Sequence, residues 1–195
     1  KKVMDVYVKL KTMSPTLDTI NLGGGFAVPY VKRKMYSAES VVKRVLKTLK
    51  EIADRREIPH PNIIVEWGRH LVAPAQITIY RIISQKPIVK STASSWYIID
   101  GSFINDLLDT WAIHQKWHVV PVNYLNTERL SRVWLAGSSC DSDDKYTGNC
   151  NYVPLPRLED LGQNDPPLYI AFFDTGAYQD ALASHHCLLS SPAKI

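Results

Sequence analysis

No apolar stretch in these 195 residues approaches the ~18 that a helical membrane span requires. A secretory leader, with a basic start and an apolar middle, is also missing. Cysteine is scarce. Cys140, Cys150 and Cys187 form an odd set without metal-ligand spacing, which argues against a disulfide framework and for a reduced, cytoplasmic setting. No nucleic-acid motif accompanies the basic residues. The net charge of +4 owes much to Lys43, Arg44, Lys47, Lys50, Arg55 and Arg56 on one predicted helix, whose plain reading is a solvated face. No repeat or low-complexity tract occurs. The chain starts at Lys1 rather than at a methionine, and its first residues read as mid-fold sequence, which suggests a fragment or a processed product.

What is present suits a folded protein. Apolar residues at 45% support a real core, and the length allows one domain or two small ones. Residues 3–13 read as a helix that Ser14-Pro15 breaks, and residues 17–22 as a short strand running into Gly23-Gly24-Gly25. Ser37 is a good N-cap with Glu39 in the first turn behind it. Val42, Val45, Leu46, Leu49 and Ile52 recur at helical spacing as one buried stripe, and Pro59-His60-Pro61 ends that helix. Asn62–Glu66 then reads as a fully buried strand that delivers Glu66 at its end. Strand, glycine loop, helix, strand is a β-α-β unit of the kind found in α/β barrels, where chemistry gathers at the strand ends.

After Arg69 the texture changes. Gln76–Ser84, Trp96–Asp100, His118–Val122, Arg132–Ala136, Tyr152–Pro154 and Leu168–Phe173 are β-rich runs punctuated by Pro, Gly, Asn and Asp. One helix around Asn105–Ile113 interrupts them, and a short one is expected at Gln179–Ala183. The fold class is therefore α/β plus β: the last strands and helices of a β/α (TIM-like) barrel, followed by a C-terminal β-barrel or sandwich domain. The boundary falls near residues 72–76, giving 1–74 and 75–195.

Five short words carry chemistry. Gly23, Gly24 and Gly25 after a strand let successive N–H groups wrap a phosphate, with a bulged turn as the plain alternative. In Glu66-Trp67-Gly68-Arg69 a guanidinium can hold a phosphate and a carboxylate can pair with a protonated ring nitrogen; a local Glu66–Arg69 salt bridge is the alternative. Cys140 is followed by Asp141, Asp143 and Asp144. Neighbouring carboxylates should raise the thiol's pKa and suit it to donating a proton, while the three acids would make a pocket for a cation. A plain acidic turn is the rival, since the spacing fails the EF-hand pattern. In Gly176-Ala177-Tyr178 the tyrosine hydroxyl can donate to a phosphate, or the ring can simply pack. Asp100 stands in Asp100-Gly101-Ser102-Phe103. His185-His186-Cys187 resembles a metal cluster only superficially, because adjacent histidines do not share a helix face.

In this order the words resemble the fold-type III pyridoxal-phosphate decarboxylases, the group of ornithine, diaminopimelate and arginine decarboxylases. The resemblance covers essentially the whole chain, as the last barrel strands plus the β domain. Within the group it looks most like biosynthetic arginine decarboxylase, through Asp109-Thr110-Trp111-Ala112-Ile113, Cys140-Asp141-Ser142-Asp143, Pro166-Pro167 and Gly176-Ala177-Tyr178-Gln179. It implies pyridoxal 5'-phosphate as cofactor, held by Gly23, Gly24, Gly25, Arg69 and Tyr178, with Glu66 against the pyridine nitrogen. It implies Cys140 as the acid that returns a proton after CO2 loss, reaching across a homodimer interface into the partner's site. Asp141 would bind the cationic end of an amino-acid substrate, with Asp100 as the next candidate. An Asp at 141 suits a guanidinium or ammonium, whereas a diaminopimelate enzyme would be expected to carry Glu there.

Two departures bear on this. Trp67 replaces the proline or small residue usual in its place, and Asp100 stands where arginine decarboxylases tend to carry Asn. The family's Schiff-base lysine lies upstream of anything here: Lys9, Lys11, Lys43 and Lys47 fall on predicted helices, and Lys86 and Lys90 in turns of the β domain. The expected function is decarboxylation of a basic amino acid, arginine to agmatine for polyamine synthesis, by a chain that works only with its N-terminal half. The alternatives are a decarboxylase for ornithine, lysine or diaminopimelate, or a non-catalytic homologue serving as a regulatory or dimerising partner. No metal, nucleic-acid or membrane partner is expected.

Overall fold

A strand that ends in three glycines needs a long return helix if its successor is to lie parallel beside it. The computed structural model describes residues 1–31, 36–148 and 150–195, and it divides into two compact units, Lys1–Gly68 and Arg69–Ile195. In the first unit, helix α1 (Lys2–Met13) precedes strand β1 (Thr19–Asn21), helix α2 (Ala38–Arg55) and strand β2 (Asn62–Ile64). The Ser37 hydroxyl accepts the Ser40 N–H at 3.2 Å and starts α2 as a capping residue should. β1 and β2 pair in parallel, with Ile20 opposite Ile63. The ladder continues past both strands, through Leu22 N–H to Ile64 O at 2.8 Å and Glu66 N–H to Gly23 O at 2.9 Å. Backbone pairing thus brings Glu66 to the glycine loop.

Met4, Tyr7, Ile20, Leu49 and Ala53 form the core of this unit, with Val45, Ile52 and Ile63 packed partly against it. Two expectations are corrected. Leu46 is exposed, because it sits at the margin of the α2 face that carries Val45, Leu49, Ile52 and Ala53. The strand at 62–66 is not fully buried. Ile63 turns toward the cluster, so strand alternation sends Ile64 to the other face, where it is half-exposed, and Val65 is exposed as well.

The second unit opens with a short helix, α3, whose first residue belongs to the preceding unit (Gly68–Val72). Each of the six β-rich runs is found as a strand. β3 (Thr78–Pro87), β4 (Ser95–Ile99), β5 (Val119–Pro121), β6 (Leu130–Ala136), β7 (Lys145–Tyr146), β8 (Val153–Pro156) and β9 (Tyr169–Phe172) make a seven-stranded sheet in the order β5-β9-β3-β4-β6-β7, with β8 also on β6. The long β3 pairs with β9 through Thr78–Arg81 and with β4 from Ile82 onward, changing partners at a register shift between Ile82 and Ser84. Such a bulge bends a strand so that one segment can serve two partners.

The single helix expected around Asn105–Ile113 is instead two: α4 (Phe103–Asp106) and α5 (Asp109–Ala112), separated where Leu107 leaves helical geometry at φ −129°, ψ 59°. Gln179–Ala183 forms turns rather than a helix. Lys86 lies within β3, whereas Lys90 sits in the β3–β4 connection with φ 56°. The interior is aromatic. Phe103 meets Tyr80, Tyr146 and Phe172 with ring centroids 5.6–6.1 Å apart, so α4 is bolted to the sheet by its first residue. Among the described residues no helix is long and apolar enough to cross a membrane.

Candidate active site

Gly23 and Gly25 adopt φ of +74° and +84°, the left-handed region where residues with a β-carbon are strained. Gly24 has a different reason for being glycine. A Cβ there would lie 2.9 Å from the backbone oxygen of Glu66, so the crevice beside the loop has no room for a side chain. Asn21 organises both sides. Its Oδ1 accepts the Gly23 N–H at 2.8 Å and its Nδ2 donates to Glu66 Oε1 at 2.7 Å. The N–H groups of Gly24 and Gly25, and Oε2 of Glu66, have no hydrogen-bond partner among the described residues. Trp67 stacks on Phe26 at 4.4 Å, which gives the departure from proline a packing role near the loop.

In the second unit Arg69 and Tyr178 are brought together. The guanidinium lies over the Tyr178 ring, 4.4 Å from its centroid, and Arg69 Nη1 donates to Asp109 Oδ2 at 2.6 Å. Asp109 is buried and held in turn by Gln179, whose Nε2 donates to the same oxygen at 2.8 Å and whose Oε1 accepts the Asp109 N–H at 3.1 Å. The Arg69 guanidinium is therefore fixed in direction within its own unit. Tyr178 is half-exposed at φ 69°, and its hydroxyl has no partner among the described residues. Asp100 is on a different loop. It accepts the Arg81 N–H at 2.9 Å, pairs with Arg81 Nε at 3.5 Å, and lines a cavity of about 830 Å³ with Tyr80, Asp106 and Asp180.

The Cys140 loop corrects the expectation of a three-acid pocket. Asp144 is buried: its Oδ1 accepts the Phe103 N–H at 2.7 Å, and its Oδ2 accepts the Ser139 hydroxyl at 2.6 Å and the Ser139 N–H at 3.2 Å. A β-carbon at Gly137 would collide with this carboxylate. Asp143 points to Lys145 at 3.3 Å. Only Asp141 shares the neighbourhood of the thiol, with Oδ2 3.5 Å from His186 Nε2. The thiol of Cys140 is raised above the ordinary range, as expected, but the carboxylates are not the main cause. Its contact with Cys187, Sγ to Sγ at 3.4 Å, comes first, and Asp141 contributes least.

Asp109, Gln179, His186 and Cys187 were not assigned to the site from the sequence. Asp109 lies 40 residues from Arg69, and Cys187 lies 47 from Cys140, so no local pattern signals either pair. No metal-binding group of three or more ligands occurs among the described residues.

Residues 1–73 match the family model of the pyridoxal-dependent decarboxylase, pyridoxal-binding domain. All of this chain aligns with 41% of the diaminopimelate decarboxylase of Methanocaldococcus jannaschii at 28% identity. Of the chain, 96% aligns with 46% of the biosynthetic arginine decarboxylase of Bacteroides thetaiotaomicron at 22% identity. The chain thus spans less than half the length of these relatives. Among solved structures it superposes on the biosynthetic arginine decarboxylase of Campylobacter jejuni with a TM-score of 0.86, over 98% of this chain and 46% of that one at 19% identity. The M. jannaschii diaminopimelate decarboxylase gives 0.81, over 98% and 40% at 26% identity.

Pyridoxal phosphate is the cofactor of this group, and the residues present fit it. The unaccepted N–H groups of Gly24 and Gly25 suit a phosphate, the open space where side chains at Gly23 and Gly25 would stand leaves room for close approach, and the open oxygen of Glu66 suits a protonated ring nitrogen. The chain is thus similar to the fold-type III pyridoxal-phosphate-dependent decarboxylases, through the pyridoxal-binding domain over residues 1–73 and through these relatives over its whole length.

Proposed function

We propose that this chain is the C-terminal part of a decarboxylase of basic amino acids, acting on arginine to give agmatine for polyamine synthesis in the cytoplasm. Residues 1–74 contribute the end of the cofactor barrel, and residues 75–195 the β domain. The observation that carries this reading is the Cys140-Asp141 pair: a thiol whose pKa is raised by its contact with Cys187, next to a carboxylate 3.5 Å from His186 Nε2. The bound cofactor supplies an electron sink for cleavage of the bond to the substrate carboxylate.

The chain's own residues supply the rest. Gly24 and Gly25 would donate backbone N–H groups to the phosphate, while Gly23, whose own N–H is held by Asn21 Oδ1, would shape the turn that presents them. Arg69, aimed by Asp109 and Gln179, adds positive charge, and Tyr178 adds a hydroxyl. Glu66, oriented by Asn21, holds the ring nitrogen protonated. Cys140 would serve as the acid that holds and returns a proton from Sγ, a role that requires the thiol form that its surroundings favour. Asp141 attracts the distal cation of the substrate in competition with His186, and Asp100 is the next candidate for that contact. Cys140 and Asp141 serve the neighbouring subunit of a homodimer.

Arginine is favoured over diaminopimelate by the shortness of Asp141, which leaves room for a long guanidinium substrate. The test uses the complete protein loaded with pyridoxal phosphate. CO2 release is measured in parallel from arginine, ornithine, lysine and diaminopimelate. Arginine should give the highest kcat/KM, and Asp141→Asn should raise its KM most. Preferred release from diaminopimelate would reverse the substrate assignment, and release from none of the four would reject the enzyme reading.

A further inference from the structure

The loops that carry Cys140 and Cys187 are both fixed to the start of α4. One is tied through the Asp144 carboxylate, which takes the Phe103 N–H at 2.7 Å and the Ser139 hydroxyl at 2.6 Å. The other is tied through Asn105, fully buried two residues later. Asn105 Nδ2 donates to His186 O at 2.9 Å, and its Oδ1 accepts the His186 N–H at 3.1 Å and the Ser184 hydroxyl at 2.6 Å. Two bridges then cross between the loops: Asp141 Oδ2 to His186 Nε2 at 3.5 Å, and Cys140 Sγ to Cys187 Sγ at 3.4 Å.

Cys187 reaches its place with φ 58° and ψ 21°, a left-handed conformation unfavourable to a residue with a β-carbon. The Asn105 contacts hold it there. Both thiols are exposed on the single chain, and a site that admits an amino-acid substrate to Cys140 across the proposed dimer interface admits a small disulfide as well; a disulfide would need the sulfurs only about 1.4 Å closer. The third cysteine, Cys150, is exposed and has no sulfur contact among the described residues.

We propose that Cys140 and Cys187 are a dithiol–disulfide pair, and that oxidation switches the site off by withdrawing the sulfur that serves as its acid. The switching half of this statement rests on the role given to Cys140 above. The oxidant is a small disulfide. One protein thiol, as its thiolate, attacks a sulfur of that disulfide and expels a small thiolate, which takes up a proton. The second protein thiol loses its proton to solvent, attacks the mixed disulfide and expels the other small thiolate, which is protonated in turn. The two cysteines lose two electrons and two protons together, and one small disulfide becomes two small thiols. A reduced dithiol reverses every bond change.

The complete, cofactor-loaded protein is equilibrated with mixtures of oxidised and reduced dithiothreitol, quenched by alkylation, digested and mapped by mass spectrometry. The expected product is a Cys140–Cys187 linked peptide lighter by two hydrogens than the separate thiol peptides, with Cys150 alkylated throughout. Decarboxylation should fall in step with the linked fraction and return on reduction, while Cys187→Ser keeps its own turnover across the same mixtures. Absence of the linked peptide at the most oxidising mixture would overturn the pair. So would a Cys187→Ser protein that loses turnover as the parent does. If the reduced protein neither holds cofactor nor releases CO2, it is the decarboxylase reading that fails, and the peptide map still decides the pair.

Discussion

Replacing Asp144 by Asn tests whether this acid belongs to the scaffold or to a ligand pocket. The side chain is buried and accepts three hydrogen bonds, from the Phe103 N–H, the Ser139 N–H and the Ser139 hydroxyl. An amide can present one oxygen to Ser139, but it then turns an NH2 group toward the Phe103 N–H. One buried donor is left unpaired, at about 1–3 kcal/mol, and two bonds fall from charge-assisted to neutral strength, at roughly 0.5 kcal/mol or more each. The sum is about 2–4 kcal/mol of local stability. Read as hydrogen exchange, that is a rise of roughly 30-fold to several hundred-fold at the Phe103 and Ser139 amides. Exchange is the right assay because it reports on this loop without requiring two-state unfolding of a multi-domain protein. Exchange within about three-fold of the parent, together with a raised substrate KM, would refute the scaffold assignment and restore Asp144 to the pocket.

Three further outcomes follow from the same geometry. Gly24→Ala places a methyl group 2.9 Å from the Glu66 carbonyl, so the loop must move from β2; pyridoxal phosphate affinity, measured by titration of its visible absorbance, should fall about ten-fold, and an unchanged affinity would contradict the crevice. Leu49→Ala empties the centre of the first unit's core and should cost about 2–4 kcal/mol, seen as faster exchange throughout α1 and α2; a change confined to residues beside position 49 would show that this core is not cooperative. Because the Cys140 pKa is raised, its reactive thiolate appears at higher pH than in an ordinary cysteine. Iodoacetamide should therefore modify Cys140 more slowly than a free thiol near pH 8, with the rate climbing as pH rises toward the shifted value. Cys187→Ser removes the main cause and should speed the reaction at fixed pH; faster modification of the parent than of a free thiol would reverse the sign of the shift.

How far each element could be read depended on the range of the interactions that make it. The Ser37 cap, the α2 stripe around Val45, Leu49 and Ile52, the parallel β1–β2 pair and all six β-rich runs rest on periodicity, capping and turn residues that lie within a few positions of one another. The glycine loop and Glu66 were legible for the same reason, since strand ends announce themselves locally. Leu46 and Ile64 were misjudged because hydrophobicity states a preference for burial, whereas burial itself depends on what packs against the residue. The helix at 105–113 is interrupted at Leu107, which is fully buried in a non-helical conformation, a tertiary demand that local propensity does not record.

By itself, then, the sequence determined most of the order of elements, the family resemblance and the kinds of chemical group at the strand ends. Tertiary structure alone decided which groups meet. Arg69 is directed by Asp109 and Gln179, Asp144 is scaffold while Asp141 faces His186, and Cys140 has a second thiol as its nearest chemical neighbour. These partners lie 40 to 70 residues apart in every case. Chain connectivity says nothing about contacts at that separation until the sheet has formed and brought its loops together.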